Sequence, residues 1–201
     1  MQTLSTTFKW MFIALLSINI VLIGFLSYFL LTGEKVEEMQ LKRINVVDNS
    51  GNNRVVISNP DRIPPPIIKG KSYKRKVNPA GIIFYDKNGD ERGGIAISEN
   101  EEGNINALAF DYQNADAIGI FSQDDKENTS FKAGLIINDK DLSGKPGQNV
   151  NRIRLMTENG NASLIIKDAN EVPRLILAVD SLGNPSFTLI DKTGKKQQYL
   201  P

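Results

Sequence analysis

Two patterns of hydrophobic positions divide the chain. Residues 10–31 form an apolar run that contains no charged residue. A helix of this length rises about 33 Å, which matches a hydrocarbon core of about 30 Å. Trp10 and Tyr28 lie towards the two ends of the run, where aromatic side chains favour the membrane interface. The pattern predicts one transmembrane helix over residues 10–31, after a short tail of residues 1–9.

A cleaved signal peptide is the alternative interpretation of this run. The run is longer than the roughly 7–15 apolar residues that are typical of a signal peptide. No A-x-A-like cleavage site follows closely, and no Cys is present to carry a lipoprotein anchor. We therefore expect a single-pass protein of the cell membrane, with the lipid bilayer as its first partner.

The charges that flank the helix give a mixed indication of its orientation. Lys9 precedes the helix, whereas Lys35, Lys42 and Arg43 follow it. This excess would keep the C-terminal part in the cytoplasm, although long C-terminal domains cross the membrane largely regardless of nearby charge. A short tail before a hydrophobic helix is typical of a signal anchor. We therefore expect the C-terminal domain to be extracytoplasmic.

Residues 32–42 form the predicted stalk. The sequence from residue 34 to residue 43 has good helix formers and neither Pro nor Gly. On a helix, Val36, Met39 and Arg43 would share one face, through which two copies could form a homo-oligomer. A solvated linker is the alternative, because a helix this short is marginal in water.

From Ile44 onward, short alternating runs replace the helical period, and Asp-x-x-Gly turns separate them. Asp at the first position of a type I turn accepts a backbone N–H. Gly at the fourth position takes the left-handed conformation that closes a three-residue hairpin. The residues expected to form these turns are Asp48 and Gly51, Asp86 and Gly89, Asp180 and Gly183, and Asp191 and Gly194.

The turn chemistry also predicts the register of an antiparallel meander over residues 151–200, because a hairpin turn fixes which residues lie opposite each other. Thr157-Glu-Asn-Gly160 and Asp168-Ala-Asn-Glu171 are treated as variants of the same turn. The predicted pairs are Leu177 with Phe187, Leu175 with Leu189, Phe187 with Tyr199, Ile165 with Leu175, and Ile153 with Ile165.

The fold class that these patterns predict is an all-β soluble domain, residues 43–201, behind one N-terminal transmembrane helix. Strands 164–166 and 175–179 are apolar on both faces, so we expect the earlier strands to cover the second face. A sandwich, a barrel-like sheet and a solenoid of hairpins remain open. The earlier strands are expected at residues 44–47, 54–57, 82–85, 94–97, 107–110, 117–121 and 134–137.

Composition excludes several classes of function. Lys and Arg number 24 against 23 for Asp and Glu, so the formal net charge is +1, and no nucleic-acid partner is expected. The chain has neither Cys nor His. This excludes disulfides, thiol nucleophiles, Cys and His metal sites and Ser–His catalysis. We assign no catalytic residue and expect no cofactor.

Several phrases in the β region resemble a family of bacterial membrane-anchored proteins with DxxG β-hairpin repeats. The phrases are the run from Arg43 to Asn59, Ala80 to Asp86 with Gly89, Gly93-Gly94-Ile95, and Leu108 to Asp111. The resemblance covers most of residues 42–200 and implies no assigned activity. Departures from the pattern are Glu171 at a turn Gly position, and Ser186 and Gln197 where earlier repeats have Arg.

One segment resembles half of a calcium loop. Asp139, Asp141 and Ser143 have the spacing of the first EF-hand ligands, but the twelfth position is Val150 instead of a bidentate Glu. No helix is predicted on either side. These three residues are weak metal candidates, and an exposed polar loop is the alternative.

Residues 63–79 form an insertion that is rich in Pro and basic residues. Pro64, Pro65 and Pro66 favour an extended stretch. The basic residues could contact anionic lipid headgroups or another polyanion, whereas a solvated loop is the alternative. The basic residues are Lys69, Lys71, Lys74, Arg75 and Lys76.

Arg54 and Arg92 each follow a turn Gly by three residues. The predicted register places Arg54 opposite Val46 and Arg92 opposite Phe84, diagonal to the turn aspartates. A cross-strand ion pair would explain both, so we interpret them as structural.

Two classes of function remain open. The first is a non-enzymatic envelope scaffold or interaction module that binds other envelope proteins or its own copies. The second is a protein that binds or hydrolyses cell-envelope carbohydrate through its acidic loops and the insertion. A pocket near residues 63–79 that is lined by two or more acids with strongly raised pKa would favour the second class, whereas a featureless surface with an apolar edge or a stalk contact would favour the first.

Overall fold

The structure is a computed structural model that describes residues 5–31, 37–75, 77–100, 103–127 and 129–199. The chain divides into two compact units, Met1–Gln40 and Leu41–Pro201. In the first unit, helix α1 spans Thr6–Leu31 and so begins before the predicted start. This helix is long and apolar enough to cross a membrane.

The polar side chains in the middle of α1 bond within the helix itself. Ser17 Oγ donates to the Ile13 carbonyl at 2.9 Å, and the Asn19 amide donates to the Leu15 carbonyl at 2.9 Å. Such bonds reduce the cost of placing a hydroxyl and an amide in hydrocarbon.

The prediction of a helical stalk is wrong for the residues that the structure describes. Residues 37–42 are exposed and are not helical, and Arg43 begins strand β1, where it pairs with Ser58. Val36 lies outside the described residues. The backbone of Arg43 therefore joins a sheet instead of continuing a helix, and the linker interpretation fits the described part of residues 32–42.

Unit Leu41–Pro201 is a β domain, which confirms an antiparallel β fold behind one N-terminal helix. A 3₁₀ turn at Pro60–Arg62 and a two-stranded hairpin interrupt the main series of strands. The strands are β1 Arg43–Val47, β2 Asn53–Ser58, β3 Ile67–Ile68, β4 Lys71–Ser72, β5 Ala80–Tyr85, β6 Glu91–Asn100, β7 Gly103–Asp111, β8 Asp116–Asp124, β9 Phe131–Lys140, β10 Asn149–Glu158, β11 Asn161–Lys167, β12 Pro173–Val179, β13 Pro185–Ile190 and β14 Lys196–Tyr199.

Twelve of these strands form one sheet in the order of the sequence, from β1 and β2 through β5 to β14. Each strand pairs with the next, and within the described residues no pairing joins β1 to β14. The arrangement is a serial array of hairpins. The expectation that the earlier strands cover the second face of the meander is wrong, because those strands extend the same sheet sideways.

The Asp-x-x-Gly turns have the hydrogen bonds that the sequence predicts. In each turn, the Asp N–H donates to the carbonyl four residues on, and the Gly N–H donates to the Asp carbonyl. Asp Oδ1 also accepts the backbone N–H groups two and four residues on. The turn glycines Gly51, Gly89, Gly183 and Gly194 have φ between 81° and 89°, which is the left-handed region that glycine enters without strain.

The predicted pairs at the C-terminal end of the meander are confirmed. Leu177 lies opposite Phe187, Leu175 opposite Leu189, and Phe187 opposite Tyr199. The two remaining pairs are wrong by one residue. The structure pairs Ile165 with Ile176, and Ile153 with Ile166.

Both register errors have a local cause. The Asp168 turn forms as predicted, with Glu171 at φ 62°, but Arg174 is an extra residue in the ladder that follows it. The turn before it is a two-residue turn at Asn159 and Gly160, at φ 46° and 84°, so that Glu158 pairs with Asn161. An Asn-Gly pair favours this tighter turn.

Arg54 and Arg92 also lie at bulges, which corrects their predicted partners. Val46 pairs with Val55, and Phe84 pairs with Gly93. A bulge adds one unpaired residue to a strand and changes the direction of its side chain. Each arginine can therefore bond along the side of the sheet that carries the Asp48, Asp86, Asp168 and Asp191 turns, which we call the turn edge.

Candidate interaction surface and acidic cluster

One face of the sheet carries two apolar rows that cross every strand. We call these rows the stripe. The first row contains Ile44, Ile57, Ile82, Ile95, Leu108, Ile120, Leu135, Leu155, Leu164, Leu177, Phe187 and Tyr199. The second row contains Val46, Val55, Phe84, Gly93, Phe110, Ile118, Ile137, Ile153, Ile166, Leu175, Leu189 and Gln197.

The stripe follows from strand geometry. Side chains two residues apart point to the same face, and residues directly opposite in an antiparallel ladder share that face. The bulges at the turn edge keep the register aligned from strand to strand. No position in the two rows is charged, and every side chain in the first row is apolar.

Gly93 and the polar Gln197 are the exceptions within the second row, and two phenylalanines flank Gly93. Its φ is 120°, and a Cβ there would come within 2.1 Å of the Ala109 carbonyl oxygen. The rings of Phe84 and Phe110, on the strands at either side, stack with their centroids 6.4 Å apart. The stripe therefore remains apolar across the position that has no side chain.

Nothing in the described β domain packs across the stripe. Strands make extensive contacts only with their neighbours in the sheet. Ile120 is 57% exposed and Leu155 is 52% exposed, although both lie in central strands. Twelve strands at about 4.8 Å make the stripe about 50 Å long, and two rows occupy about 14 Å, so its area is about 700 Å². Monomeric proteins rarely expose an apolar patch of this size.

The opposite face is covered at β2 and β5 by residues 63–79, which we call the arm. Val56, Ile83 and Tyr85 form a buried cluster, and Ile63 packs against it. The arm contains the hairpin of β3 and β4 and so is folded instead of being a solvated loop. It separates the sheet into a covered part and an uncovered part.

An ion pair of low exposure holds the arm to the sheet. Arg75 donates from Nη2 to Glu91 Oε2 at 2.5 Å and from Nη1 to Oε1 at 3.2 Å. Arg75 Nε also donates to the Pro64 carbonyl at 2.7 Å. The backbone N–H of Gly70 donates to Asp90 Oδ1 at 2.7 Å. A bidentate pair of this kind fixes both partners in place.

The basic residues of the arm do not form one cluster. Arg75 faces Glu91, and Lys69 Nζ donates to the Gly144 carbonyl at 3.2 Å. Lys71 and Lys74 are exposed. Lys76 lies outside the described residues. Two of the five basic residues that were predicted to contact anions therefore bond to other groups of the protein instead.

Beside the arm lies an acidic cluster that the sequence did not indicate. Asp111 and Asp116 are directly opposite in the ladder of β7 and β8. Burial, the carboxylates of Asp116 and Glu91, and the hydrogen bond with Asp116 together raise the pKa of Asp111 to about 7, while the Arg92 guanidinium opposes them. Asp111 and Asp116 also share a hydrogen bond. The pair thus holds one proton more readily than two isolated carboxyl groups would.

Three cavities lined by described residues adjoin this cluster, and one of them, of about 340 Å³ with Asp116 in its lining, is larger than the other two. A cavity of about 170 Å³ is lined by Glu91, Asp111 and Asp116 together with Ile68 of the arm. A second cavity, of about 110 Å³, lies under Arg75. The volumes of these two smaller cavities suit a few water molecules more than an extended ligand.

The residues predicted as candidate metal ligands contact other protein groups. Asp139 forms an ion pair with Arg152, and Asp141 accepts hydrogen bonds from the backbone and hydroxyl of Ser143. The Ser143 hydroxyl lowers the pKa of Asp141 below its usual range. Among the described residues, no group of three or more acidic side chains is arranged to hold a metal ion.

Arginines at the bulges form a series along the turn edge. Arg92 bonds to Asp86 Oδ2 from Nε and Nη2, both at 3.0 Å. Burial tends to raise the pKa of Asp86, but the N–H groups of Asn88 and Asp90 and the guanidinium outweigh it and lower that pKa. Arg54 differs from the prediction, because its Nε donates to the Tyr85 carbonyl at 3.3 Å instead of to Asp48.

Sequence reasoning missed two members of this series. Arg174 donates to Asp168 Oδ2 from Nε at 2.7 Å, and this bond lowers the pKa of Asp168. Its position, three residues after Glu171, has the spacing of Arg92 after Gly89, so the signal was present. Arg152 donates from Nε to the Lys167 carbonyl at 3.0 Å, but the residue three positions before it is Asn149 and not a turn Gly.

The pairs predicted from the sequence fall in the stripe only over residues 151–200, and one predicted member, Ile165, lies on the opposite face. The signal for the remainder is the same alternation of apolar residues in the earlier strands. In comparisons with known proteins, the chain matched no protein-family model, no curated protein and no solved structure.

Proposed function

We propose that this is a single-pass envelope protein whose β domain is a non-enzymatic interaction module, and that the stripe binds a protein partner. The observation that carries this proposal is an apolar surface of about 700 Å² that no part of the described β domain covers. A surface of that size matches one side of a standard protein–protein interface, about 800 Å².

Helix α1 is the membrane tether in this proposal. Its 26 residues are apolar enough to cross a bilayer, and its central hydroxyl and amide are bonded internally. A tether confines the β domain to the membrane surface and raises its effective concentration near other membrane proteins. We place the β domain outside the cytoplasmic membrane.

The acidic cluster favours the interaction module over carbohydrate hydrolysis. Glycoside hydrolysis uses two carboxyl groups about 5–9.5 Å apart, which act as separate acid and nucleophile or base. Asp111 and Asp116 share a hydrogen bond, and Glu91 is engaged by Arg75. A proton shared between these carboxyl groups lets the partly buried Asp111 remain uncharged beside the exposed Asp116, which is a structural role.

Photocrosslinking in living cells tests this proposal. A benzophenone amino acid replaces Leu177, in the stripe, or Ala178, its neighbour on the opposite face. We expect Leu177 to capture a defined protein and Ala178 to capture none, because the two positions differ chiefly in the face they present. Capture of lipid or glycan alone at Leu177 would overturn the proposal.

Protease treatment tests the orientation separately. Intact cells or spheroplasts that carry the full chain are treated with a protease that does not enter the cytoplasm. We expect the β domain to be degraded while a cytoplasmic marker survives. Protection of the β domain until the cells are lysed would place it in the cytoplasm.

A further inference from the structure

We infer that the partner of the stripe is the stripe of a second copy of this chain, so that two sheets pack face to face as a sandwich. This inference rests on the proposed function, since it names the protein that the stripe binds. Four properties of the described residues support it: area, absence of charge, a polar border and length.

The first property is area. Two stripes of about 700 Å² each would bury about 1,400 Å² in total, within the range of roughly 1,200–2,000 Å² for stable specific interfaces. The area is therefore sufficient for a two-fold dimer that forms through the stripe alone.

The second property is the absence of charge in both rows. A two-fold interface places the same patch of each copy against the other, so a charged residue would meet its own kind. The first row is apolar on all twelve strands, and the second is interrupted only by Gly93 and the uncharged Gln197. Two copies can thus meet along the whole stripe without burying an unpaired charge.

The third property is the polar border of the stripe. Arg92 with Asp86, Arg152 with Asp139, and Arg174 with Asp168 form ion pairs along the turn edge. Protein interfaces typically have an apolar centre and a polar, solvated rim. Two antiparallel sheets also pack face to face at about 10 Å, with apolar side chains from both sheets filling the space between them.

The fourth property, length, favours a sheet over a lipid chain. One leaflet of a bilayer has an acyl layer about 15 Å thick, half of the hydrocarbon core. The stripe is about 50 Å long, so a single acyl chain would leave most of it in water. A second stripe has the same length and the same two-row width.

Cysteine crosslinking of the full chain in native membranes tests this inference, because the chain has no cysteine of its own. The midpoint of the stripe lies between β8 and β9, where a two-fold axis would bring each copy near itself. Ile120→Cys places a thiol there. Ile136→Cys is the matched control, on β9 and on the opposite face. We expect a short bis-maleimide to link Ile120→Cys into a species of twice the mass, and Ile136→Cys to remain monomeric.

A second variant tests the same interface by charge. Ile120→Lys with Leu155→Lys places two charges per chain in the stripe, and we expect the dimer to dissociate at least about ten-fold more readily. Gln198→Lys adds a charge on the opposite face of β14 and should leave the dimer unchanged. Circular dichroism verifies that each variant folds. If the double variant does not fold, the crosslinking of Ile120→Cys alone decides whether the stripe pairs with a second copy.

The outcomes separate this inference from the proposed function. If Ile120→Cys stayed monomeric while the photocrosslinker at Leu177 captured a different protein, the second copy would be excluded as the partner and the interaction module would still stand. If Ile120→Cys stayed monomeric and Leu177 captured no protein, both proposals would be wrong. A dimer that survives the two lysines in a folded protein would place the interface elsewhere and overturn the inference.

Discussion

Val56 and Ile57 are neighbours on strand β2, yet Val56 is fully buried whereas Ile57 is 43% exposed. The arm packs over the face that carries Val56, and the stripe occupies the face that carries Ile57. Both faces are rich in apolar residues, so composition does not distinguish them. A β-strand can therefore carry apolar residues on both faces although only one of those faces is buried within the chain.

The covered face also differs in its use of charge. It holds Arg75 against Glu91 in partly dehydrated surroundings, and it holds the partly buried Asp111 beside the exposed Asp116. Buried charges are costly unless they are paired, so each group there has a defined partner or holds a proton. The stripe avoids this cost because it has no charges. The first face is closed by the arm at β2 and β5, whereas the stripe stays exposed in the described β domain.

The largest expected effect comes from releasing the arm. Arg75→Ala leaves Glu91 with little exposure and no partner, and removal of one member of a buried pair typically costs about 3–5 kcal/mol. We expect a loss towards the lower end of this range, measured by urea unfolding of the full chain in detergent. Lys74→Ala removes an exposed charge next to it and should change little. Equal midpoints for the two variants would contradict the proposed role of the ion pair.

The second effect compares the same side chain on the two faces. Ile83 is 3% exposed and Ile120 is 57% exposed. Ile83→Ala removes buried methyl groups and leaves a cavity, so we expect a loss of about 2–4 kcal/mol in the free energy of unfolding. Ile120→Ala should cost less than about 1 kcal/mol at low protein concentration, where copies are separate. Similar costs would mean that the stripe is covered within a single chain.

The third effect is a pH dependence of the covered face. The pKa of Asp111 is raised from 3.8 to about 7, so the folded state binds more protons than the unfolded state between those values. The stability that this group contributes therefore decreases as the pH rises from about 4 to about 7. Asp111→Asn removes the buried charge, and we expect it to stabilise the protein at pH 8 by at least about 1 kcal/mol, since one pKa unit corresponds to about 1.4 kcal/mol.

Thermal unfolding at pH 5 and pH 8 measures this difference. At pH 5, where Asp111 is mostly protonated, the variant and the natural protein should be closer in stability. Glu158→Gln is the control, because it removes one exposed carboxylate from β10. If the variant were destabilised equally at both pH values, ionisation of the Asp111 carboxyl group would not be what lowers the stability at pH 8.

The smallest effect concerns the turn edge, which borders both faces. Arg92→Ala removes a partly exposed ion pair with Asp86, and we expect a loss of about 0.5–1 kcal/mol at pH 7. The pKa of Asp86 is lowered by its partners, so this stability should disappear as the pH falls below about 4 and Asp86 is protonated. Arg54→Ala, which removes a bond to a carbonyl, should show no such pH dependence. Neither variant should change the crosslinks at Leu177, and a change there would show that the turn edge contributes to partner binding.

Local signals explain which expectations hold. The helix at residues 10–31 and the Asp-x-x-Gly turns depend on neighbouring residues alone, and the structure has both, with α1 extending to Thr6. The register is correct where those turns lead directly into the ladder, as at Leu177 and Phe187. It fails where a bulge at Arg174 or a tighter turn at Asn159 inserts or removes one position, because period-two patterns do not reveal a single extra residue.

Distant contacts explain the remainder. The sequence marks Arg75 as basic, but its pairing with Glu91 depends on how the arm folds back over β5 and β6. Asp111 and Asp116 belong to no motif, and the raised pKa of Asp111 arises from burial and from carboxylates that the ladder brings near. Neither is visible in local spacing.

The sequence by itself determined the apolar helix, the antiparallel hairpins and the alternation that produces the stripe, because each depends on residues within a turn or a few positions along a strand. Only the tertiary structure decided whether the hairpins stack or extend in one sheet. Both arrangements pair the same strands through the same turns, and they differ in which apolar face meets which. That choice leaves the stripe uncovered and places the acidic cluster beneath the arm.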